Sequence, residues 1–326
     1  MVQEATVMTF SYFCNMIFVE VFLIAIGMAF VLWGADRFTD AASDIARYYN
    51  VSEMIIGLTI VGLGTSLPEF MVSLLSALRG SGEMSIGNVV GSNVFNALCI
   101  VGASSLLLPL NIPRRVLYTD VLITLGVTVI VVCMGHEGFL SRWDGSVLFM
   151  LYLAYIAWNI REARRHDVHN ERDTTESPRT WRIVMWLVVG VASLVGGARL
   201  MVENAVSLAQ ALGISERVIA ITVLAAGTSL PEFATSLVAA YKGREGLALG
   251  NVLGSNISNI LFVLGGCSTI RPIMMSGMTV TDVIFFVGSV MLLFLVCFTR
   301  NKISRMEGCV LLLTYLAYIC ILFLQS

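Results

Sequence analysis

Two glutamates stand inside the same seven-letter string, GTSLPEF, at residues 64–70 and again at 227–233. On a helix, Thr65 and Ser66 lie four and three residues before Glu69 and share its face, and Gly62 falls seven before it on the same stripe. Pro68 has no amide hydrogen and crowds the turn before it, so the carbonyl of Gly64 loses its helical partner. A carboxylate, two hydroxyls and freed carbonyls make an oxygen-rich nest. Hard cations such as calcium take six to eight oxygens. Thr228, Ser229, Pro231, Glu232 and Ala225 supply the mirror set.

A second string repeats as well. GNVVGSNVFN at 87–96 returns as GNVLGSNISN at 250–259, with seven of ten positions identical. Asn88, Ser92 and Asn96 are spaced by four and form one polar stripe, which Asn251, Ser255 and Asn259 repeat. Gly87 and Gly91, and Gly250 and Gly254, share the same spacing, which lets helices approach closely.

The elements that carry these residues must sit in lipid. Of 326 residues, 57% are hydrophobic and 13% charged, and mean hydropathy is +0.85. The net charge of −2 gives no footing for nucleic acid. The seven cysteines fall singly, without metal-type or CxxC spacing, and read as packing residues; the three histidines lie in connecting segments. No nucleophile–base pair or cofactor motif appears, so an enzyme is not expected. A spanning helix needs roughly 20 mainly apolar residues. Ten candidates fall near 16–35, 51–78, 84–107, 116–134, 146–161, 183–200, 214–241, 247–269, 280–298 and 308–324. With the start of the chain outside, the inner connections hold 15 of the 20 Lys and Arg residues. The positive-inside tendency then puts both termini outside and the polar linker 161–182 in the cytoplasm.

Position 64 matches 227 and position 87 matches 250, both at an offset of 163. Weaker echoes keep that register: Thr59 with Thr222, Ser52 and Glu53 with Ser215 and Glu216, Tyr152 and Tyr155 with Tyr315 and Tyr318. The chain reads as two tandem units, 1–163 and 164–326. Each holds five helices. Five is odd, so the second unit enters the membrane from the opposite side. The expected fold is an all-α integral membrane protein of ten transmembrane helices in two inverted five-helix repeats, an architecture typical of secondary transporters with midplane sites.

An acid at the bilayer centre costs several kcal/mol, roughly 2.5–3.5 on insertion scales. Neither GTSLPEF core contains a Lys or Arg to pair with its acid, so the natural partner is a cation from outside the chain. Taken singly, each feature has a plainer reading. Small residues four apart are often packing alone, hydroxyls in membrane helices bond back to the preceding turn, a proline marks a kink, and a lone acid can carry a proton. Their joint recurrence at one offset argues against a purely structural role. Other acids and cations do not share it. Glu53 and Glu216 follow serines at helix starts, Asp120 and Asp282 fall near helix ends, and Trp143, Trp158 and Trp181 read as interfacial belt residues. Two carboxylates neutralise one divalent ion or two monovalent ions. A site that must be neutral to cross the barrier would move loaded and not empty, which is an exchange rule.

At GTSLPEF and GNVxGSN, each present twice, the sequence resembles the sodium/calcium exchanger family within the cation/calcium antiporter superfamily, over essentially the whole chain. The resemblance implies four clustered cation sites between the second, third, seventh and eighth helices. Glu69 and Glu232 would bind calcium and sodium as transported substrates. Thr65, Ser66, Thr228 and Ser229 would add oxygens, with carbonyls from Gly62 and Ala225. Ser92, Asn96, Ser255 and Asn259 would complete the outer sites. The first and sixth helices would slide past the rest. Several members carry Asp where this chain has Asn259, so one carboxylate fewer is present here. The short linker resembles compact prokaryotic members of the cytoplasmic membrane, with no obligate protein partner and no cofactor. A calcium/proton exchanger of the same superfamily is the alternative, although those relatives typically have Asn where Thr65 and Thr228 stand. A passive cation channel is a third reading.

Overall fold

The computed structural model describes residues 2–166, 180–212, 225–275 and 278–325. Most of the linker 161–182, with His169, Arg172 and Arg179, and residues 214–224 of the seventh expected span, with Ser215, Glu216, Arg217 and Thr222, lie outside the described residues.

The described chain is helical apart from two short strand pairs. The helices are α1 (Val2–Tyr48), α2 in two limbs (Glu53–Thr65 and Leu67–Leu78), α3 (Gly82–Leu107), α4 (Arg114–Glu137), α5 (Arg142–His166), α6 (Thr180–Ala211), α7 (Leu230–Tyr241), α8 (Glu245–Ile270), α9 (Val280–Arg300) and α10 (Arg305–Gln325). A helical turn, Ala225–Gly227, precedes α7. Among the described residues seven helices are long and apolar enough to cross a membrane, or eight if the bent α2 counts as one span. The protein is thus an all-helical integral membrane protein.

Two helices run well past the expected bounds: α6, expected over 183–200, continues to Ala211, and α1 is extended too. The first apolar run ends near Ala35, but α1 continues to Tyr48. Residues 35–46 contain neither Gly nor Pro, so nothing breaks the helix until Asn50 takes a left-handed φ of 51°. The extension places Asp36, Asp40 and Ser43 beside other elements. Lys242 Nζ lies 2.7 Å from Asp36 and 2.8 Å from Asp40, and Arg244 reaches Asp40 at 2.8 Å. Ser43 donates to Glu53 at 2.6 Å.

Close packing uses glycine pairs. A Cβ on Gly27 would come within 2.8 Å of the Gly197 carbonyl, and one on Gly34 within 2.9 Å of the Gly190 carbonyl, so α1 and α6 touch backbone to backbone. The α2–α8 crossing is built the same way. A Cβ on Gly62 would lie 2.7 Å from Gly254, and one on Gly254 would lie 2.6 Å from the Leu58 carbonyl. Gly87 and Gly91, the counterparts of Gly250 and Gly254, meet no described atom within 4 Å.

The two strand pairs join distant connections. β1 (Leu110–Asn111) pairs antiparallel with β4 (Lys302–Ile303), and β2 (Phe139–Leu140) with β3 (Ile273–Met274). Leu110 faces Ile303 and Leu140 faces Ile273; a shift of 163 turns the first pairing into the second. Gly27 with Gly197 and Gly34 with Gly190 exchange in the same way.

The α2–α8 crossing has no room for a side chain at Gly254. Gly254→Leu is expected to destabilise the protein by about 1–3 kcal/mol or more through overpacking. Thermal unfolding in detergent checks it, with a melting point several degrees below that of wild type. Gly126→Ala, where no described atom lies within 4 Å of an added Cβ, should leave the melting point close to wild type.

Candidate cation site

The break in α2 is made locally. Residues Leu67 and Pro68 open the second limb, and Ser66 between the limbs leaves helical geometry at φ −81°, ψ 3°. The two limbs meet at 42°. Pro231 does the same for α7, with Ser229 at φ −90°, ψ 9°. Each proline occupies the first turn of its helix, where a missing N–H costs nothing. Glu69 and Glu232 therefore start helices in the protein interior instead of lying in the middle of straight spans.

The two halves exchange hydrogen bonds at these acids. Ser229 Oγ donates to Glu69 Oε1 at 3.0 Å, and Ser66 Oγ donates to Glu232 Oε1 at 3.4 Å. Each serine stands three residues before its own acid but serves the acid of the other half. Both carboxylates are fully buried. Among the described residues neither forms an ion pair with Lys or Arg, and no three His, Cys, Asp or Glu side chains cluster as a resident metal would need. The second carboxylate oxygen of each acid, Oε2, is buried without a hydrogen-bond partner among the described residues. So one oxygen of each acid is held by protein and the other is left over.

The remaining expected residues divide into two groups. Thr65 Oγ1 lies 3.1 Å from Asn251 Oδ1, 3.1 Å from the Val61 carbonyl and 3.2 Å from Ser255 Oγ. Ser255 Oγ also donates to the Gly62 carbonyl at 3.3 Å. Thr228 Oγ1 donates to Asn88 Oδ1 at 3.2 Å. Thr65, Ser66, Thr228, Ser229, Gly62 and Ser255 are thus tied to the two acids or to the asparagines beside them. Ser92, Asn96 and Asn259 are buried on α3 and α8, and no hydrogen bond of their side chains reaches the others; their polar atoms are unpartnered. Ala225 opens the turn before α7, and its surroundings lie outside the described residues.

An unpaired buried polar atom costs about 1–3 kcal/mol, so these atoms favour an occupant, or a proton, that satisfies them. A desolvated cation fits that donor set of carboxylate, hydroxyl and amide oxygens. The helices widen at the same level. Phe95–Ile100 and Asn259–Leu264 are π-helical, so Asn96 and Asn259 each sit at the beginning of a wide turn. Such turns recur at functional positions because they re-aim side chains out of the regular helical register.

Sequence reasoning passed over two serines. Ser73 and Ser236 are buried and accept from Asn88 at 3.1 Å and from Asn251 at 2.8 Å. Their signal was available, since they stand four residues after each acid and 163 apart. Asn93 and Asn256 also repeat at that offset and are buried with unpartnered oxygens. Asp120 was expected near a helix end. It is buried instead, with Tyr155 donating to it at 3.2 Å, and Tyr318 donates to Asp282 at 3.3 Å.

Known proteins resemble this chain in sequence and in fold. The profile of the family described as "Sodium/calcium exchanger protein" matches residues 19–161 and again 182–324. The chain is 36% identical over 315 residues to a putative antiporter, CaxA, of Alkalimonas amylolytica, covering 94% of this chain and 99% of that one. It is 32% identical over 350 residues to the sodium/calcium exchanger MaX1 of Methanosarcina acetivorans, covering 94% and 99%. Among solved structures, the sodium-calcium exchanger NCX_Mj superposes with a TM-score of 0.83 at 31% identity, covering 93% of this chain and 99% of that one. Over almost its whole length, therefore, the chain belongs to the sodium/calcium exchanger family of membrane antiporters.

Proposed function

We propose that this protein exchanges sodium for calcium across the membrane by alternating access, with the ions bound at mid-membrane between Glu69 and Glu232. The observation that carries this reading is the pair of buried carboxylates. Each is anchored through one oxygen by the opposite half's serine, and each turns an unpartnered oxygen to the interior. One calcium or two sodium ions cancel their charge. Thr65, Ser66, Thr228, Ser229, Ser92, Asn96, Ser255 and Asn259, with the carbonyls of Gly62 and Ala225, complete the oxygen set. With neither ion present the site would carry two uncompensated charges through a low-dielectric barrier, at a cost of several kcal/mol per charge. The occupied states cross and the empty one does not, which couples the fluxes.

The proposed topology has ten membrane helices in two inverted repeats, 1–163 and 164–326, with both ends outside and the linker 161–182 inside. The cross-links between connections support it. Counting from an outer start, β1–β4 joins the third and ninth connections, both inner, and β2–β3 joins the fourth and eighth, both outer. Lys242 and Arg244, in the inner connection after α7, meet Asp36 and Asp40 at the inner end of α1. Arg271, in an outer connection, donates to the carbonyl of Leu78 at the outer end of α2 at 2.7 Å. Each link joins segments of the same side. The exchange of pairings under a shift of 163 fits a twofold axis in the membrane plane. α1 and α6, packed on each other through glycines, form the pair expected to slide past the other helices. The membrane is the cytoplasmic membrane of a prokaryote.

Purified protein in liposomes tests the function. A sodium gradient is expected to drive calcium uptake, and Glu69→Gln or Glu232→Gln should lower that flux by roughly a hundredfold or more, since removing one member of a buried charge pair costs on the order of 3–5 kcal/mol. Calcium movement driven by a proton gradient but indifferent to sodium would replace this reading with calcium/proton exchange. Calcium passage without any counter-ion would replace it with a channel.

Reporter fusions test the sidedness. Green fluorescent protein inserted in the linker near Asp167 should fluoresce, as it does only in the cytoplasm, whereas alkaline phosphatase fused after Ser326 should be active outside. The reverse pattern would invert the topology.

A further inference from the structure

Asn88 and Asn251 are held in one orientation by their surroundings. Asn251 Nδ2 lies 3.1 Å from the Glu232 carbonyl and 2.8 Å from Ser236 Oγ. Asn88 Nδ2 lies 3.4 Å from the Glu69 carbonyl and 3.1 Å from Ser73 Oγ. A backbone carbonyl only accepts, so the NH2 end of each amide must face it, and the carbonyl end must face away. That end meets a threonine hydroxyl of the other half, Thr65 at 3.1 Å and Thr228 at 3.2 Å.

A hydroxyl binds a cation through its lone pairs, so its proton has to go elsewhere. Thr65 has one proton and three acceptors within reach of it, Asn251 Oδ1, the Val61 carbonyl and Ser255 Oγ. Each points that proton away from the remaining lone pairs. Each amide also fixes the backbone carbonyl of the acid on its own side, and so joins one half's acid to the other half's hydroxyl. Asn251 is fully buried, with both ends of its amide held by protein: Nδ2 by the Glu232 carbonyl and Ser236, Oδ1 by Thr65.

We propose that Asn251, and Asn88 in the opposite half, are positioning residues: they orient Thr65 and Thr228 as cation ligands and register them against Glu232 and Glu69. This rests on the exchange reading above. It separates these asparagines from Asn96 and Asn259, whose amide atoms have no protein partner.

The test uses the full-length protein in liposomes, with half-saturating calcium and sodium measured at several pH values. Asn251→Leu removes donor and acceptor together and is expected to raise both half-saturation values about tenfold or more, in protein that still elutes as a single species. Asn251→Asp keeps the acceptor but, when ionised, loses the donor and adds charge. A protonated acid restores both groups, so the ratio of Asn251→Asp flux to wild-type flux should rise as pH falls. A residue that only packed the helices would tolerate Leu, which has nearly the same volume, and leave both half-saturation values near wild type. Wild-type half-saturation in Asn251→Leu, or a flat ratio in Asn251→Asp, overturns this inference alone. Wild-type protein without sodium-driven calcium flux overturns the exchange reading and this inference with it.

Discussion

Two carboxyl groups sit in the interior of a membrane protein with no lysine or arginine beside them among the described residues, and much of the surrounding architecture is a response to that fact. Water would solvate a carboxylate there at no cost, but lipid and packed helices do not. The structure gives each acid one hydroxyl donor from the opposite half and leaves its other oxygen unpartnered. A group half satisfied in this way is unstable alone and stable with a cation. The feature that weakens the fold is therefore also the one proposed to hold the transported ion.

The exchange of partners between halves gives the site its coupling. If each serine served its own acid, the two halves would be two separate sites on two helices. Because Ser66 reaches Glu232 and Ser229 reaches Glu69, neither carboxylate is complete without the other half. The asparagines add a second tie, from one half's backbone to the other's threonine. Proline makes this geometry available. By opening each helix just before the acid, Pro68 and Pro231 turn the first-turn residues inward, and the N-terminal end of a helix favours negative charge.

Around the site, glycine sets how closely the helices approach. α2 and α8 meet at Gly57, Gly62, Gly250 and Gly254 with no space for a Cβ, which brings Thr65 within bonding distance of Ser255 and Asn251. α1 and α6 meet each other in the same manner at Gly27, Gly34, Gly190 and Gly197. At one end α1 is also held to the core by Lys242 and Arg244 against Asp36 and Asp40. Arg199, in the position of Asp36 on α6, pairs within its own helix with Glu203.

The sequence by itself determined that the protein lives in lipid, that it repeats with a register of 163, and that each repeat sets an acid among hydroxyl and amide residues. These are local properties: hydropathy, spacing and the chemistry of a proline are all written within a few neighbouring residues. The tertiary structure alone decided the partners. The GNVxGSN string does not say that Gly250 and Gly254 pack against α2 with no space for a Cβ. The continuation of α1 to Tyr48, the π-helical turns at Asn96 and Asn259, the burial of Asp120 under Tyr155 and the crossed serine–glutamate bonds were likewise illegible in the string. In a chain this apolar nearly every helix face can pack on any other, so periodicity says that a residue is inside without saying what it touches. That choice is made by backbone approach and hydrogen-bond geometry between segments more than a hundred residues apart.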